Sequence, residues 1–474
     1  MFSDLSPGKH LFFDNTSVAD TYHLRRQIHQ PQLDPQESVL RAEKPWEGAG
    51  VTPLHAVFDE ELGTFRMWYQ VHNPQLEEER KALGNSPHGN VGEPQPIYCC
   101  YVESEDGVSW QRPNLGIFPE NGGDNNICFK GHSYAAGNTF VYQPQAAPNE
   151  RYLMVNCDWK SVSEGGIYIA ASSDGIHWKY INEKPLIFGE SDTWNNLVYD
   201  PEREVYMLYM RAWHSAAIGW EQIDKGNTRR RVSYSESKDL KNWSEPQIIL
   251  APDELDTDDF YGLQVFRHAD YWLGYLWIYD DDDRDTIEIE LIYSHDGLHW
   301  SRLPAREKFL AIGAPASPQS HMIVPAQAPL PVGDELWIYY VEHLAPHHVG
   351  GAQGEAFRAV LRADGFLSLK ASLQWGAMIS RPFVIENDEI IINARAPFGE
   401  IRFELVEPFL EATRGEPEGK TIPGFTQNDC DPFRGDAVHH KLSWRGNSDL
   451  SALRGKRVLL RIALQHAEIF SFTI

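Results

Sequence analysis

Runs in which apolar or aromatic residues alternate with small or polar ones recur along the chain, as in "PIYCCYVES", "GIYIAASS" and "IELIYS". A period of two predicts strands. Each run leads into one short phrase: "SEDGVSW" ending at Trp110, "SSDGIHW" at Trp178, "SKDLKNW" at Trp243 and "SHDGLHW" at Trp300. Extended pieces such as "WQRPNLGIF" and "WSEPQIIL" follow. The phrase is therefore expected to be a hairpin turn. Asp hydrogen-bonds turn amides, Gly takes positive φ, and Trp packs across the strand pair.

The copies lie 57 to 68 residues apart, and "RADGFLSL" at Arg362–Leu369 is a weaker fifth. Before each stands an apolar strand, a polar turn and an aromatic-rich strand, for example "NNLVYDPEREVYMLYMRA". This spacing suits four-stranded blades, and predicts an all-β chain with a five-bladed β-propeller over residues 1–370. The repeated turns then fall on the face opposite the long loops at Asn73–Pro96 and Trp213–Arg231, which makes them structural, since propeller ligands collect where long loops converge. From about Ala371 the phrase stops. Short strands such as "EIIINARA", "EIRFELVEP" and "KRVLLRIALQ" predict a C-terminal β-sandwich over 371–474 that covers a flank of the propeller.

Composition narrows the partners. A formal charge of −26 over 474 residues disfavours nucleic acid and anionic membranes, and the basic run Arg229–Arg231 is short enough to be strand-edge or substrate-facing arginines. The first residues lack a secretory pattern and no run is long enough to span a bilayer, so a soluble, cytoplasmic protein is expected. Five cysteines without CxxC spacing suit core residues, and no cofactor is expected. Oligomeric state is not readable.

A five-bladed propeller followed by a β-sandwich resembles the invertase, levansucrase and arabinanase superfamily, which includes glycoside hydrolase families 32, 43 and 68. The stretches "LFFDN", "PWEGAG" and "GDELWIYYVEH" look like a bacterial group near family 32. That resemblance implies a glycosidase with its site in the propeller funnel. The Trp-Met-Asn-Asp-Pro-like, Arg-Asp-Pro and Glu-Cys segments of family 32 are absent from this sequence, so no catalytic residue carries over by motif.

Site candidates come instead from where the inner strand of each blade begins. Blade one offers Glu47, with Thr52 where related enzymes carry an acid, and blade two offers Asn138. Blade three offers "SDTWNNLVYD", in which Asp192 is followed by Trp194 and Asn195. An acid beside an aromatic and amides suits a sugar pocket, because a ring face stacks on the sugar and amides read its hydroxyls. Blade four offers Asp258 and Asp259, of which strand alternation lets one face the funnel; Asp259 is favoured. Blade five offers Gln319 and His321, then Glu342, His343, His347 and His348, read as sugar contacts, with plain loop histidines and a metal set as the alternatives. The acidic run from Asp280 to Asp285 reads as a solvated loop.

These candidates predict a glycoside hydrolase acting on an oligosaccharide or small glycoside, a furanoside such as a fructoside or arabinoside favoured. Asp192 and Asp259 would be the carboxylate pair and Glu47 a third acid. A phosphorylase is the alternative, in which Arg211, Arg230 or His321 holds phosphate beside a single acid. A non-catalytic sugar binder using Trp194, Trp213 and Trp220 is the third reading.

Overall fold

The computed structural model describes residues 4–33, 38–48, 50–73, 76, 79, 96–133, 135–161, 163–189, 191–215, 228–256, 259–280, 284–313, 320–347, 354–408 and 420–474. The chain is all-β, with helical elements such as Pro45–Glu47 and Ser451–Leu453 amounting to single turns. Among the described residues no helix is long and apolar enough to cross a membrane.

Five successive groups of antiparallel strands, here called units, follow one another, the last two joined into one sheet by a parallel pairing of Ile287 with Met322. Unit one pairs Val51–Asp59, Thr64–His72, Ile97–Ser104 and Ile127–Phe129 in that order. Unit two runs from Ala136–Tyr142 through Tyr152–Trp159 and Gly165–Ser172 to Lys179–Tyr180. Unit three joins Asn196–Asp200, Val205–Ser215, Thr228–Ser237 and Gln247–Leu250. Unit four starts at Asp259–His268, continues through Tyr271–Asp280 and Thr286–Ser294, and ends on Trp300–Arg302 and Lys308–Leu310. In unit five Met322–Pro325, Glu335–His343 and Ala356–Arg362 take their outer strand from the other end of the chain, Gln32–Leu33.

Where the first strands of the units converge, their backbone groups need partners beyond their own sheets. Buried polar side chains supply them. Gln327 Oε1 accepts the Phe140 amide at 2.7 Å, and the Gln327 backbone N–H donates to Leu54 O at 2.8 Å, so one residue just after the first strand of unit five ties units one and two. Asn196 Oδ1 accepts the Val265 amide at 2.8 Å and joins unit three to unit four.

Each repeated phrase forms the same turn. In unit two, Ser172 Oγ accepts the Asp174 and Gly175 amides, and Asp174 Oδ1 accepts those of Ile176 and His177, both at 2.8 Å. Burial works to raise the Asp174 pKa, but these amides and the His177 ring outweigh it and bring it down to about 2. Asp106, Asp239 and Asp296 hold their turns alike. An aromatic from the preceding unit then donates to the turn: Trp68 Nε1 to Gly175 O, Tyr209 Oη to Gly297 O and Tyr339 Oη to Gly107 O, each at 2.7 Å. The fifth copy differs. Asp364, at φ 58°, leaves its turn and binds Lys9, His268 and Ser471 at 2.8 to 2.9 Å, fastening unit five to both chain ends.

The sheet of the C-terminal strands also takes in strands from earlier in the chain. It runs Val18–Tyr22, Gly376–Ser380, Arg457–Gln465, Ile391–Glu407, Ala467–Thr473, Leu367–Ala371 and Arg25–Ile28. Strands near the start of the chain thus pair with those around residues 367–380, and Lys9–His10 with the last strand. Local patterning carries no signal for such pairing. One apolar core continues from Tyr275 and Ile338 in units four and five through Phe366 to Ile392 and Phe472.

Gly175, at φ +74°, sits where a Cβ would lie 2.6 Å from the Trp68 ring. Gly333, at φ +58°, has nothing within 4 Å of that position. Gly333→Ala is expected to cost the backbone term alone, about 1–2 kcal/mol. Gly175→Ala should add an overpacking cost of about 1–3 kcal/mol. Thermal melts of the two variants check this; equal midpoints would show that the docked aromatic does not depend on the glycine.

Candidate functional site

A cavity of about 240 Å³ opens where all five units meet. Thr52, Gln70 and His72 come from unit one, Ala136 and Gly137 from unit two, and Asp192 and Trp194 from the segment entering unit three. Tyr261, Trp277 and Ile287 come from unit four, and Met322, Val324, His343 and His347 from unit five and the loop after it. These positions gather at the starts of first and third strands and the ends of second strands. The Asp-Gly turns, which follow the ends of third strands, are at the opposite end.

The segment Ser191–Asn195 is knotted by its own side chains. Ser191 Oγ donates to Asn195 Oδ1 at 2.5 Å, and Asn195 Nδ2 donates to Ser191 O at 2.8 Å and Thr193 O at 3.0 Å. Thr193 Oγ1 donates to Tyr261 O at 3.1 Å. Gly137, at φ +65°, brings the unit-two backbone so close that a Cβ would lie 1.6 Å from Thr193 O. Held in this way, Asp192 and Trp194 both line the cavity. The Asp192 carboxylate accepts from Arg211 Nη1 instead of from turn amides. Arg211 is buried, donates through Nη2 to Tyr261 O at 3.3 Å, and lies 4.5 Å from the Tyr261 ring centre. Trp194, Trp277 and Tyr261 form an aromatic wall, with centroids 4.9 Å apart for the first pair and 5.9 Å for the second, which is stacked.

Asp259 does not line the cavity. It is buried behind it, where Oδ1 accepts the Arg230 amide at 2.6 Å and Oδ2 accepts Arg230 Nη1 at 2.6 Å. A β-bulge explains the difference. Register with the next strand shifts between Phe260 and Gly262, so Tyr261 is the extra residue and turns into the cavity. Glu47 is also elsewhere. Its buried carboxylate accepts the Glu43 and Lys44 amides at 2.7 and 2.9 Å, Tyr69 Oη at 2.6 Å and Arg112 Nε at 2.7 Å, which leaves it saturated as an anchor of the Lys44 turn.

Of the other expected contacts, Thr52, Trp194 and His343 line the cavity. Asn195 is spent in its knot, and Asn138 donates to Ala135 O at 3.0 Å while its buried Oδ1 has no partner among the described residues. His321 pairs through its backbone with His343 O and Ile287 N. Glu342 is buried opposite Ile323, and Arg211 acts through Asp192 and Tyr261. Asp258, Trp220, Gln319, His348 and residues 281–283 lie outside the described residues, as does the Trp213 side chain. Sequence reasoning missed Tyr261, Trp277 and Gln70, which read as strand core. Among the described residues no three His, Cys, Asp or Glu side chains form a group that could hold a metal ion.

Around the aromatic wall, Trp194 Nε1, Gln70 Oε1 and His343 Nδ1 are buried without a partner among the described residues. Burial lowers the His343 pKa to about 4, helped by the His347 charge. His347 is also lowered to about 4, by burial and then by Arg230. Both rings are neutral at neutral pH.

No family model matches the sequence, and no curated protein matches it. Similar solved structures include a glycoside hydrolase family 43 arabinoxylan arabinofuranohydrolase from Bacillus subtilis in complex with cellotetraose. It is 11% identical, with 93% of this chain and 99% of that one covered and a TM-score of 0.43. An α-L-arabinofuranosidase from Podospora anserina in complex with cellotriose is 12% identical, covering 70% and 98%, with a TM-score of 0.45. A β-1,2-mannobiose phosphorylase from Listeria innocua is 11% identical, covering 73% and 97%, with a TM-score of 0.43. At these scores and identities the likenesses assign neither a substrate nor a reaction.

The lowered His343 pKa has a sign. Between its unfolded value near 6.5 and its folded value of about 4, the unfolded chain binds the extra proton, so stability falls as pH falls through that window. The loss is on the order of 3 kcal/mol and complete near pH 4. Urea melts at pH 7 and pH 4.5 should show the decline, and His343→Gln should lessen its slope without abolishing it, since His347 and His55 are lowered in the same window; an unchanged slope in the variant would remove His343 as a contributor.

Proposed function

We propose that the five units are the blades of a five-bladed β-propeller, followed by a β-sandwich, and that the protein cleaves a glycosidic bond of a small carbohydrate held in the axial cavity. The observation that carries this reading is the lining. An aromatic wall stands beside buried polar atoms of Trp194, Gln70 and His343 that have no partner among the described residues, an arrangement suited to a ligand with one apolar face and a rim of hydroxyls. A volume of about 240 Å³, just under the ~300–1,000 Å³ of typical ligand pockets, suits one end of an oligosaccharide or a small glycoside.

Asp192 is the cavity's acid. Its carboxylate is ion-paired with Arg211, and a carboxylate at this place in the cavity fits a nucleophile, a base or a stabiliser of developing positive charge at the anomeric carbon. Asp259, neutralised by Arg230 behind Tyr261, becomes a supporting residue, and Glu47 leaves the list of candidates.

One observation favours the phosphorolytic alternative. Two guanidiniums, Arg211 and Arg230, flank the Tyr261 ring at 4.5 and 5.7 Å beside a single cavity acid among the described residues, and a phosphate cradle needs such cations.

A panel of chromogenic furanosides and pyranosides, with fructo- and arabino-oligosaccharides, each with and without phosphate, tests the proposal. Turnover is expected, and Asp192→Asn should reduce it on the order of 10²–10⁴-fold with an unchanged melting midpoint. Glu47→Gln should lower the midpoint and spare kcat. Full activity in Asp192→Asn would overturn the assignment, and strict phosphate dependence would select the alternative.

A further inference from the structure

A chain of four hydrogen-bonded side chains runs from the cavity wall outward. Tyr261 Oη lies 2.9 Å from His347 Nε2, His347 Nδ1 lies 3.3 Å from Tyr279 Oη, and Tyr279 Oη donates to Asp285 Oδ1 at 2.7 Å. The imidazole meets both phenol rings at centroid distances of 5.0 and 4.9 Å, so packing holds it in place.

The direction of this chain is fixed from its outer end. An ionised carboxylate only accepts, so the Tyr279 proton goes to Asp285 and the Tyr279 oxygen must accept from His347. That places the imidazole proton on Nδ1 and leaves Nε2 as an acceptor, which draws the Tyr261 proton away from the cavity. We propose that His347 is a positioning residue that fixes Tyr261 as a hydrogen-bond acceptor toward the cavity, so that the site selects a neutral sugar donating a hydroxyl to Tyr261 and Asp192. This rests on the carbohydrate reading above and gives its substrate class.

The surroundings agree. Tyr261 and His347 both line the cavity with Asp192. A ligand carboxylate or sulfate would meet two acceptors on this wall, while Arg211 is already committed to Asp192 and to Tyr261 O, and Arg230 to Asp259. Burial and the charges of Arg230 and Arg211 keep the imidazole neutral, which the assigned tautomer requires. In the sequence Tyr261 and Tyr279 read as core aromatics, so the device is invisible until the bulge at Tyr261 is known.

The test has two arms. Selective ¹⁵N-histidine labelling, with the His347 signal identified by its loss in His347→Asn, should show the Nδ1–H tautomer, and Tyr279→Phe should convert it to Nε2–H. An Nε2–H ring in the unaltered protein would overturn the proposal. In the second arm, neutral chromogenic glycosides are compared with the matching uronides. A preference of at least about tenfold in kcat/KM for the neutral member is expected, and Tyr279→Phe, with Asp285→Asn as a second variant, should raise KM about five- to tenfold while largely sparing kcat. Preference for uronides, or unchanged KM in both variants, would overturn it. If no glycoside is turned over by the unaltered protein, the glycosidase reading fails, and the tautomer alone then decides the positioning claim.

Discussion

The arrangement depends on a single close contact made three times: an aromatic side chain of one unit donating to the glycine carbonyl of the next unit's Asp-held turn. A four-stranded sheet with exposed faces is not stable alone, so the units must dock face to face, and their angle decides where the first strands converge. The turn is a suitable fixed point because its geometry is over-determined. Ser and Asp oxygens hold its amides, and the glycine leaves room for the arriving ring. The repeated phrase is thus remote from the cavity, yet it sets the relation between units on which the cavity depends.

At the convergent end the same economy of polar groups is put to another use. Inner strands that fan apart expose backbone groups, and buried Gln327 and Asn196 satisfy them. Where a strand carries an extra residue, a side chain is released inward, and Tyr261 is the clearest case. Gly137 does the converse, admitting the Thr193 carbonyl so closely that the Asp192 segment has no alternative seat. The site is therefore made from departures from regular pairing, supported by regular pairing elsewhere.

This explains what could be read from the sequence. Alternation and the Ser-x-Asp-Gly phrase reveal strands and turns, since both are local, and the cluster "SDTWNN" marks the entry to unit three because acid, aromatic and amides are adjacent there. The bulge at Tyr261 cannot be seen in alternation, which is why Asp259 looked like the inward residue. Glu47 has the composition of a catalytic acid, and only Tyr69 and Arg112, brought in from 22 and 65 residues away, make it an anchor. The strands Val18–Tyr22 and Arg25–Ile28 read as part of the first domain, because nothing local announces partners more than three hundred residues later.

The electrostatics give the cavity its character. The chain carries a formal charge of −26, yet the two acids nearest the aromatic wall are each matched by a guanidinium, and the histidines beside them are held neutral by burial. Desolvated pairs of this kind are retained only when their remaining hydrogen bonds are satisfied, as the Tyr261 carbonyl and the Arg230 amide satisfy these. With net charge cancelled, what distinguishes one ligand from another is the direction of individual donors and acceptors. Direction is a property of supported side chains: Trp194 is fixed by the Asn195 knot, Asp192 by Arg211, and Tyr261 by the bulge and by His347. Discrimination therefore resides less in the residues that touch a ligand than in the contacts that hold them at their angles.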